Sequence, residues 1–217
     1  MNLEQARANM VEQQIRPWEV LDQAVLDLLY AVPREEFVPP AYRNLAFADL
    51  EIPIGEGERM MAPKVEARLL QSLALRKTER VLEVGTGSGY LTALLARSAA
   101  QVRSLEIRPA LAAFGRANLE HHGLDNVTLE IGDGARGDPQ RAPYDAIVLT
   151  GSTPVLPASL REQLAPGGRL FAVVGEPPVM VARLITRTAP GAYGTVELFD
   201  TVLAPLVNAE HPPRFRF

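Results

Sequence analysis

The chain has 217 residues, 47% of them hydrophobic and 22% charged, with no cysteine and a formal net charge of −4. That length and balance suit one substantial domain with a buried core and exclude a disordered polymer, while the lack of cysteine excludes disulfides, thiolate-held zinc or iron–sulfur clusters and thiol nucleophiles. Neither sign of charge collects into a block that would attract nucleic acid, and no apolar run approaches the ~20 residues of a membrane helix.

"MNLEQARANMVEQQIRP" has neither a basic leader nor an apolar stretch, so the expectation is a cytoplasmic protein with no membrane or nucleic-acid partner. Within it Leu3, Ala6, Met10 and Ile15 share roughly one helical face, and Arg16-Pro17 predicts a stop. A second helix is predicted over 21–31 from Leu21, Val25, Leu28 and Leu29, ended by Pro33. Pro33, Pro39, Pro40, Pro53, Gly55 and Gly57 make residues 33–57 an irregular, extended passage. Pro63 fits a first helical turn, where its missing N–H is no loss, and Val65, Leu69, Leu70 and Leu73 give that helix an apolar face.

Strands and helices then alternate: strand 80–85, helix 90–99, strand 101–107, helix 109–123, strands 127–133 and 144–151, helix 157–164, strand 168–175. Short Val/Ile/Leu-rich strands separated by helices are the pattern of a buried parallel sheet. After Gly175, "VMVARLITRT" and "GTVELFDTVLAPL" have no helix between them and predict an antiparallel hairpin. The fold class expected is therefore α/β: a doubly wound, mostly parallel sheet with an N-terminal helical cap over 1–62, a core over 63–175 and a C-terminal hairpin and tail over 176–217.

The sharpest signal is "VLEVGTGSGY", in which Gly85, Gly87 and Gly89 follow a strand and open a helix. Such a turn brings a ligand close to the backbone, with unshielded N–H groups expected at the helix start. The dinucleotide fingerprint would place glycine or alanine where Tyr90 stands, and Glu83, near the strand end, would repel a pyrophosphate and attract a cationic ligand group. Glu106, at the end of the second strand, can accept both hydroxyls of a ribose, and Asp133, in "GDG" after the third, can receive an adenine amino group. Together they converge on a nucleoside with a positive centre. The same three acids could instead serve only as helix caps.

A strand ending E-x-G-x-G-x-G, a second ending in an acid and a third ending in Asp-Gly resemble the class I methyltransferases that use S-adenosyl-L-methionine. "MVEQQIRP", "VPREEFVP", "IPIGEG", "VLEVGTGSGY", "NVTLEIGDG" and "APYDAIVLTGSTPVLPASLREQLAPGGRL" narrow the resemblance to the protein-L-isoaspartate O-methyltransferase family, in family order over nearly the whole chain. The resemblance implies a Rossmann-like sheet and a cofactor site of Glu83, Gly85, Gly87, Gly89, Glu106, Asp133 and Gly134. It also implies methylation of isoaspartyl carboxylates in damaged proteins or peptides, and closure of the "IGEG" segment over the site.

The family segment continues with Thr-Ile-Ser before the helix, and counting back from Pro63 puts Met61 where that serine is expected. A carboxylate is already ionised at neutral pH and needs no general base, so the missing hydroxyl weakens positioning and does not remove a proton acceptor. Ser152 and Thr153, in "TGSTP" after the fourth strand, are candidates to present hydroxyls from the opposite wall, or else cap the following turn. Met60 is expected to fill the core beneath the loop. His121 and His122 are expected at the surface, and no metal constellation is expected. Alternatives are a small-metabolite acceptor, a cofactor-binding protein without turnover and, least compatible with Tyr90 and Glu83, a nicotinamide dehydrogenase.

Overall fold

A computed structural model describes residues 2–212 of the chain. Helix α1 (Leu3–Met10) is capped by Asn2, whose side chain accepts a hydrogen bond from the Gln5 N–H. It does not stop at Arg16-Pro17: the turns widen to a π-helix over Val11–Ile15 and tighten to a 3₁₀ turn over Arg16–Trp18, ended by Glu19 at φ 60°. Pro17 is accommodated at the start of that turn, where no N–H is required. Helix α2 (Gln23–Ala31) starts at Asp22, which accepts from the Ala24 N–H at 2.9 Å. Met10, Val11, Ile15, Leu26 and Leu29 bury the cap against the core.

Residues 33–51 contain two 3₁₀ turns, Arg34–Glu36 and Pro40–Leu45. The segment expected as an irregular loop then forms a short antiparallel hairpin, β1 (Ile52–Gly55) with β2 (Glu58–Met60). Four-residue strands with a proline carry too little periodicity to be recognised, but Glu56 (φ 55°) and Gly57 (φ 80°) turn the chain back on itself. Helix α3 (Pro63–Leu73) follows with Pro63 in its first turn.

The main sheet takes β3 (Arg80–Val84), β4 (Gln101–Glu106), β5 (Val127–Ile131), β6 (Tyr144–Thr153), β7 (Leu164–Glu176), β8 (Val179–Ala189) and β9 (Ala192–Asp200) in the order β5-β4-β3-β6-β7-β8-β9. Pairings from β5 to β7 are parallel, and β8 and β9 add antiparallel. Helices α4 (Tyr90–Ala96), α5 (Pro109–His121) and α6 (Ala158–Glu162) supply the crossovers. Val81 packs into one apolar cluster and Leu82 into another, so both faces of the sheet are covered and its central strands read as unbroken apolar runs.

Strand order reverses between β3 and β6, the position at which open α/β sheets form a crevice beyond the carboxyl ends of their strands. After β9 the chain returns across β6: Ser152 bridges to Pro205, its N–H donating to Ala204 O and its carbonyl accepting from Leu206 N–H, both at 2.9 Å. Of the expected C-terminal tail, residues 213–217 lie outside the described residues. Among the described residues no helix is long and apolar enough to cross a membrane.

Candidate active site

A cleft opens at the strand-order reversal. Its walls are the turn after β3, the ends of β4 and β5, Thr150 and Gly151 of β6, residues 203–207 after β9, and the β1–β2 hairpin with Met61 and Glu66.

Gly85, Gly87 and Gly89 all have positive φ, at 97°, 55° and 83°. At Gly85 the requirement is steric as well as conformational, since a Cβ would lie 2.2 Å from the Thr150 hydroxyl oxygen. That hydroxyl is shared between the carbonyls of Val84 and Gly85, 2.9 Å from each, and fixes the turn. The three glycine N–H groups are spent within the protein: Gly85 on Leu105 O, Gly87 on Glu106 Oε2 and Gly89 on Thr86 O, at 2.8, 2.9 and 2.9 Å.

The three acids separate in role. Glu106 borders the cleft, its two oxygens oriented by the N–H groups of Gly87 and Arg108 at 2.9 and 3.0 Å. Asp133 also borders it, held by the Ala135 N–H and by the Asn208 amide, both at 2.9 Å. Gly134 beside it has no room for a side chain, since a Cβ would meet Val84 at 2.7 Å. Glu83 is not on the wall: it lies fully buried behind the turn, accepting from Thr92 and Ser104 hydroxyls at 2.6 Å each, with no partner for Oε1 among the described residues. Burial raises its pKa to about 8 against those two hydroxyls, with the charges of Glu106 and Glu66 adding to the rise. The strand pleat sends its side chain to the face covered by α4, so the expected contact with a cationic ligand is corrected to a buried acid supporting the turn.

Ser152 and Thr153 do not provide an opposite wall. Both are buried; Ser152 donates to Leu203 O at 2.9 Å and Thr153 to Val155 O, so their hydroxyls anchor the returning chain and the following turn. Met60 and Met61 are both buried and both border the cleft, so Met60 is wall as well as core filling. The hairpin is tied down across the cleft by Glu58, which accepts from Arg108 Nε and a terminal nitrogen at 2.8 and 2.6 Å.

Beneath Met61 sits a pair that sequence reasoning missed. Arg34 is 1% and Glu66 2% exposed; they form a salt bridge, and Arg34 also donates to Met61 O at 2.6 Å and Ala46 O at 2.9 Å. Its guanidinium lies 4.8 Å from the centre of the Tyr90 ring. The available signal was a carboxylate between Val65 and Ala67 on the apolar side of α3. His121 is exposed as expected, whereas His122 stacks on Phe37 with ring centres 4.6 Å apart. Glu36, His121 and His122 come together with candidate ligand atoms within 4.8 Å of one another, but none of them borders the cleft.

With this geometry in view, comparisons with known proteins are specific. The family model described as Protein-L-isoaspartate(D-aspartate) O-methyltransferase matches residues 5–211. A protein-L-isoaspartate O-methyltransferase of Roseiflexus castenholzii is 41% identical over 98% of this chain and 99% of its own length. Protein-L-isoaspartate O-methyltransferase 1 of an Anaeromyxobacter species is 46% identical over 88% and 91%. A solved structure from Plasmodium falciparum, in complex with S-adenosyl-L-homocysteine, is 23% identical and superposes with a TM-score of 0.80 over 95% of this chain and 99% of that one, which shows a shared fold. The chain belongs to the protein-L-isoaspartate O-methyltransferase family.

Proposed function

We propose that the protein is an S-adenosyl-L-methionine-dependent methyltransferase that esterifies a carboxylate of isoaspartyl residues in damaged proteins or peptides. The observation that carries this reading is near-full-length kinship with proteins of that name, joined to a cleft where a glycine turn meets two acids suited to a nucleoside's hydroxyls and base. Glu106 and Asp133 would hold the nucleoside's hydroxyls and base, and the backbone at Gly85, Gly87 and Gly134 borders the space it would fill, whereas Gly89, off the cleft wall, lets the turn pack on Gly115 of α5. We assign Glu83 to the support of that turn.

When bound, S-adenosyl-L-methionine would supply an electrophilic methyl group for a carboxylate oxygen and leave as neutral S-adenosyl-L-homocysteine. No proton moves, so the protein's task is to orient the acceptor and exclude water. The hairpin with Met60 and Met61 performs the exclusion, tied down by Glu58 and Arg108.

Incubation with labelled cofactor and an isoaspartyl peptide should release volatile methanol as the ester breaks down; no release above background refutes the repair reading. The two methionines on the wall favour one alternative, a small apolar carboxylic acid as acceptor. A metabolite screen showing turnover there and none on peptide would establish it.

A further inference from the structure

The lid end of the cleft is apolar at Met60 and Met61, and its other charged groups are nearer solvent or committed: Arg59 is exposed, Glu51 is half-buried with the charge of Arg59 acting on it, and Glu58 is bound to Arg108. Glu66 is different. It borders the cleft while 2% exposed, and it spends one oxygen, Oε2, on Arg34. Its second oxygen, Oε1, has no hydrogen-bond partner among the described residues. Arg34 lies behind it, off the cleft wall, with Nε and both terminal nitrogens engaged by Ala46 O, Glu66 and Met61 O. A buried carboxyl group half satisfied by protein, with its other half toward a ligand cleft, is poised to complete its hydrogen bonding with whatever enters.

We propose that Glu66 receives the acceptor: held by Arg34 through Oε2, it presents Oε1 as a protonated hydroxyl that donates a hydrogen bond to the acceptor's carboxylate. The proposal rests on the carboxyl-methyltransfer reading above and names the residue that meets the substrate in a site whose lid residue, Met61, has no hydroxyl to give.

The groups around Glu66 make this consistent. Burial raises its pKa to about 7, against the opposing charge and hydrogen bond of Arg34. The charged and titratable groups facing it are Arg34 from the 3₁₀ turn, Glu83 from β3 and Tyr90 from α4. With Glu66 protonated the pair carries the single positive charge of Arg34 and attracts an anion. With Glu66 ionised the pair is neutral and sets carboxylate against carboxylate, so an incoming acceptor raises the proton affinity of Glu66 further. Acceptor binding therefore takes up a proton, and the methyl ester, having lost its charge, is held less firmly and leaves.

The test is calorimetric binding of an isoaspartyl peptide to the protein saturated with S-adenosyl-L-homocysteine, at pH 6.5 and 8.5, in buffers of different ionisation heat. Wild type should lose roughly twentyfold in affinity across that range and take up close to one proton per peptide at pH 8.5, as expected for a group required in its protonated form with a pKa near ~7. Glu66→Gln, whose amide donates at every pH, should bind the peptide at pH 8.5 at least as well as wild type, without proton uptake. Glu66→Met should lose peptide affinity at both pH values while retaining affinity for S-adenosyl-L-homocysteine. Wild-type affinity that is flat with pH, or Glu66→Gln that keeps the wild-type proton uptake, overturns the proposal. So does loss of S-adenosyl-L-homocysteine binding in step with peptide binding. If a variant does not fold, the wild-type proton count decides alone. A wild type that neither binds the peptide nor releases methanol refutes the functional reading itself, and the proposal with it.

Discussion

Replacing Gly85 by alanine separates two costs that the structure places at one atom. The first is conformational: φ is +97°, and an L-residue held there costs about 1–2 kcal/mol. The second is steric: the new methyl would lie 2.2 Å from the Thr150 hydroxyl oxygen, so that side chain must rotate and give up its contacts with Val84 O and Gly85 O. Overpacking of this kind costs about 1–3 kcal/mol and the lost hydrogen bonding about 1 kcal/mol more. Gly85→Ala should therefore destabilise by roughly 3–6 kcal/mol in total, of which only the conformational part survives in a Thr150→Ala background. Urea denaturation of the wild type, both single variants and the double variant gives the coupling directly, with about 2–4 kcal/mol expected. A coupling below about 0.5 kcal/mol would refute the view that Thr150 shapes this turn. Calorimetry with S-adenosyl-L-homocysteine on the same four proteins should show affinity lost in Gly85→Ala and partly recovered in the double variant.

Three further outcomes are expected. Glu106→Ala removes a buried acceptor bordering the cleft and should weaken S-adenosyl-L-homocysteine by on the order of 10- to 100-fold, measured by calorimetry, and should cost about 1–3 kcal/mol of stability by leaving the Gly87 and Arg108 N–H groups without their acceptor. Between about pH 4.5 and 8 the folded state keeps protons on Glu66 and Glu83 that the unfolded chain has released, so both groups make stability fall as pH rises. The limiting slope is roughly 1.4 kcal/mol per pH unit for each group while only its folded form is protonated; denaturation of Glu83→Gln across this range should show a shallower decline than wild type, and an equal or steeper one contradicts the assignment. Met61→Ser should alter kcat/KM on an isoaspartyl peptide by less than about tenfold, because Glu66 already supplies the polar contact. It should cost about 2 kcal/mol of stability by exchanging a buried thioether for a smaller polar group.

The parallel core was legible because its strands are buried on both faces and spell themselves as apolar runs between glycine and proline breaks; β3, β4 and the glycine turn lie within a residue or two of where the sequence puts them. The hairpin of Ile52–Gly55 and Glu58–Met60 was not, since strands of four and three residues carry no measurable alternation. Position along a strand gave the acids at the right ends, but direction needed the pleat: Glu83 and Glu106 both end strands, yet one faces α4 and the other the cleft. Ser152 and Thr153 misled for a related reason, as a hydroxyl near a site reads identically whether it faces the ligand or a backbone carbonyl. Arg34 and Glu66 stand 32 residues apart, and only the packing of the cap on α3 makes them a pair.

The chain after β9 has a bearing on how the protein is made. Residues 203–207 form part of the cleft wall, Ser152 clasps that strand through three hydrogen bonds, and Asn208 holds Asp133 in place. The glycine turn, by contrast, is encoded before residue 90. A ribosome emitting this chain has thus released the glycine turn more than a hundred residues before the last wall of the cleft, and the cleft is complete only once residue 208 has left the exit tunnel.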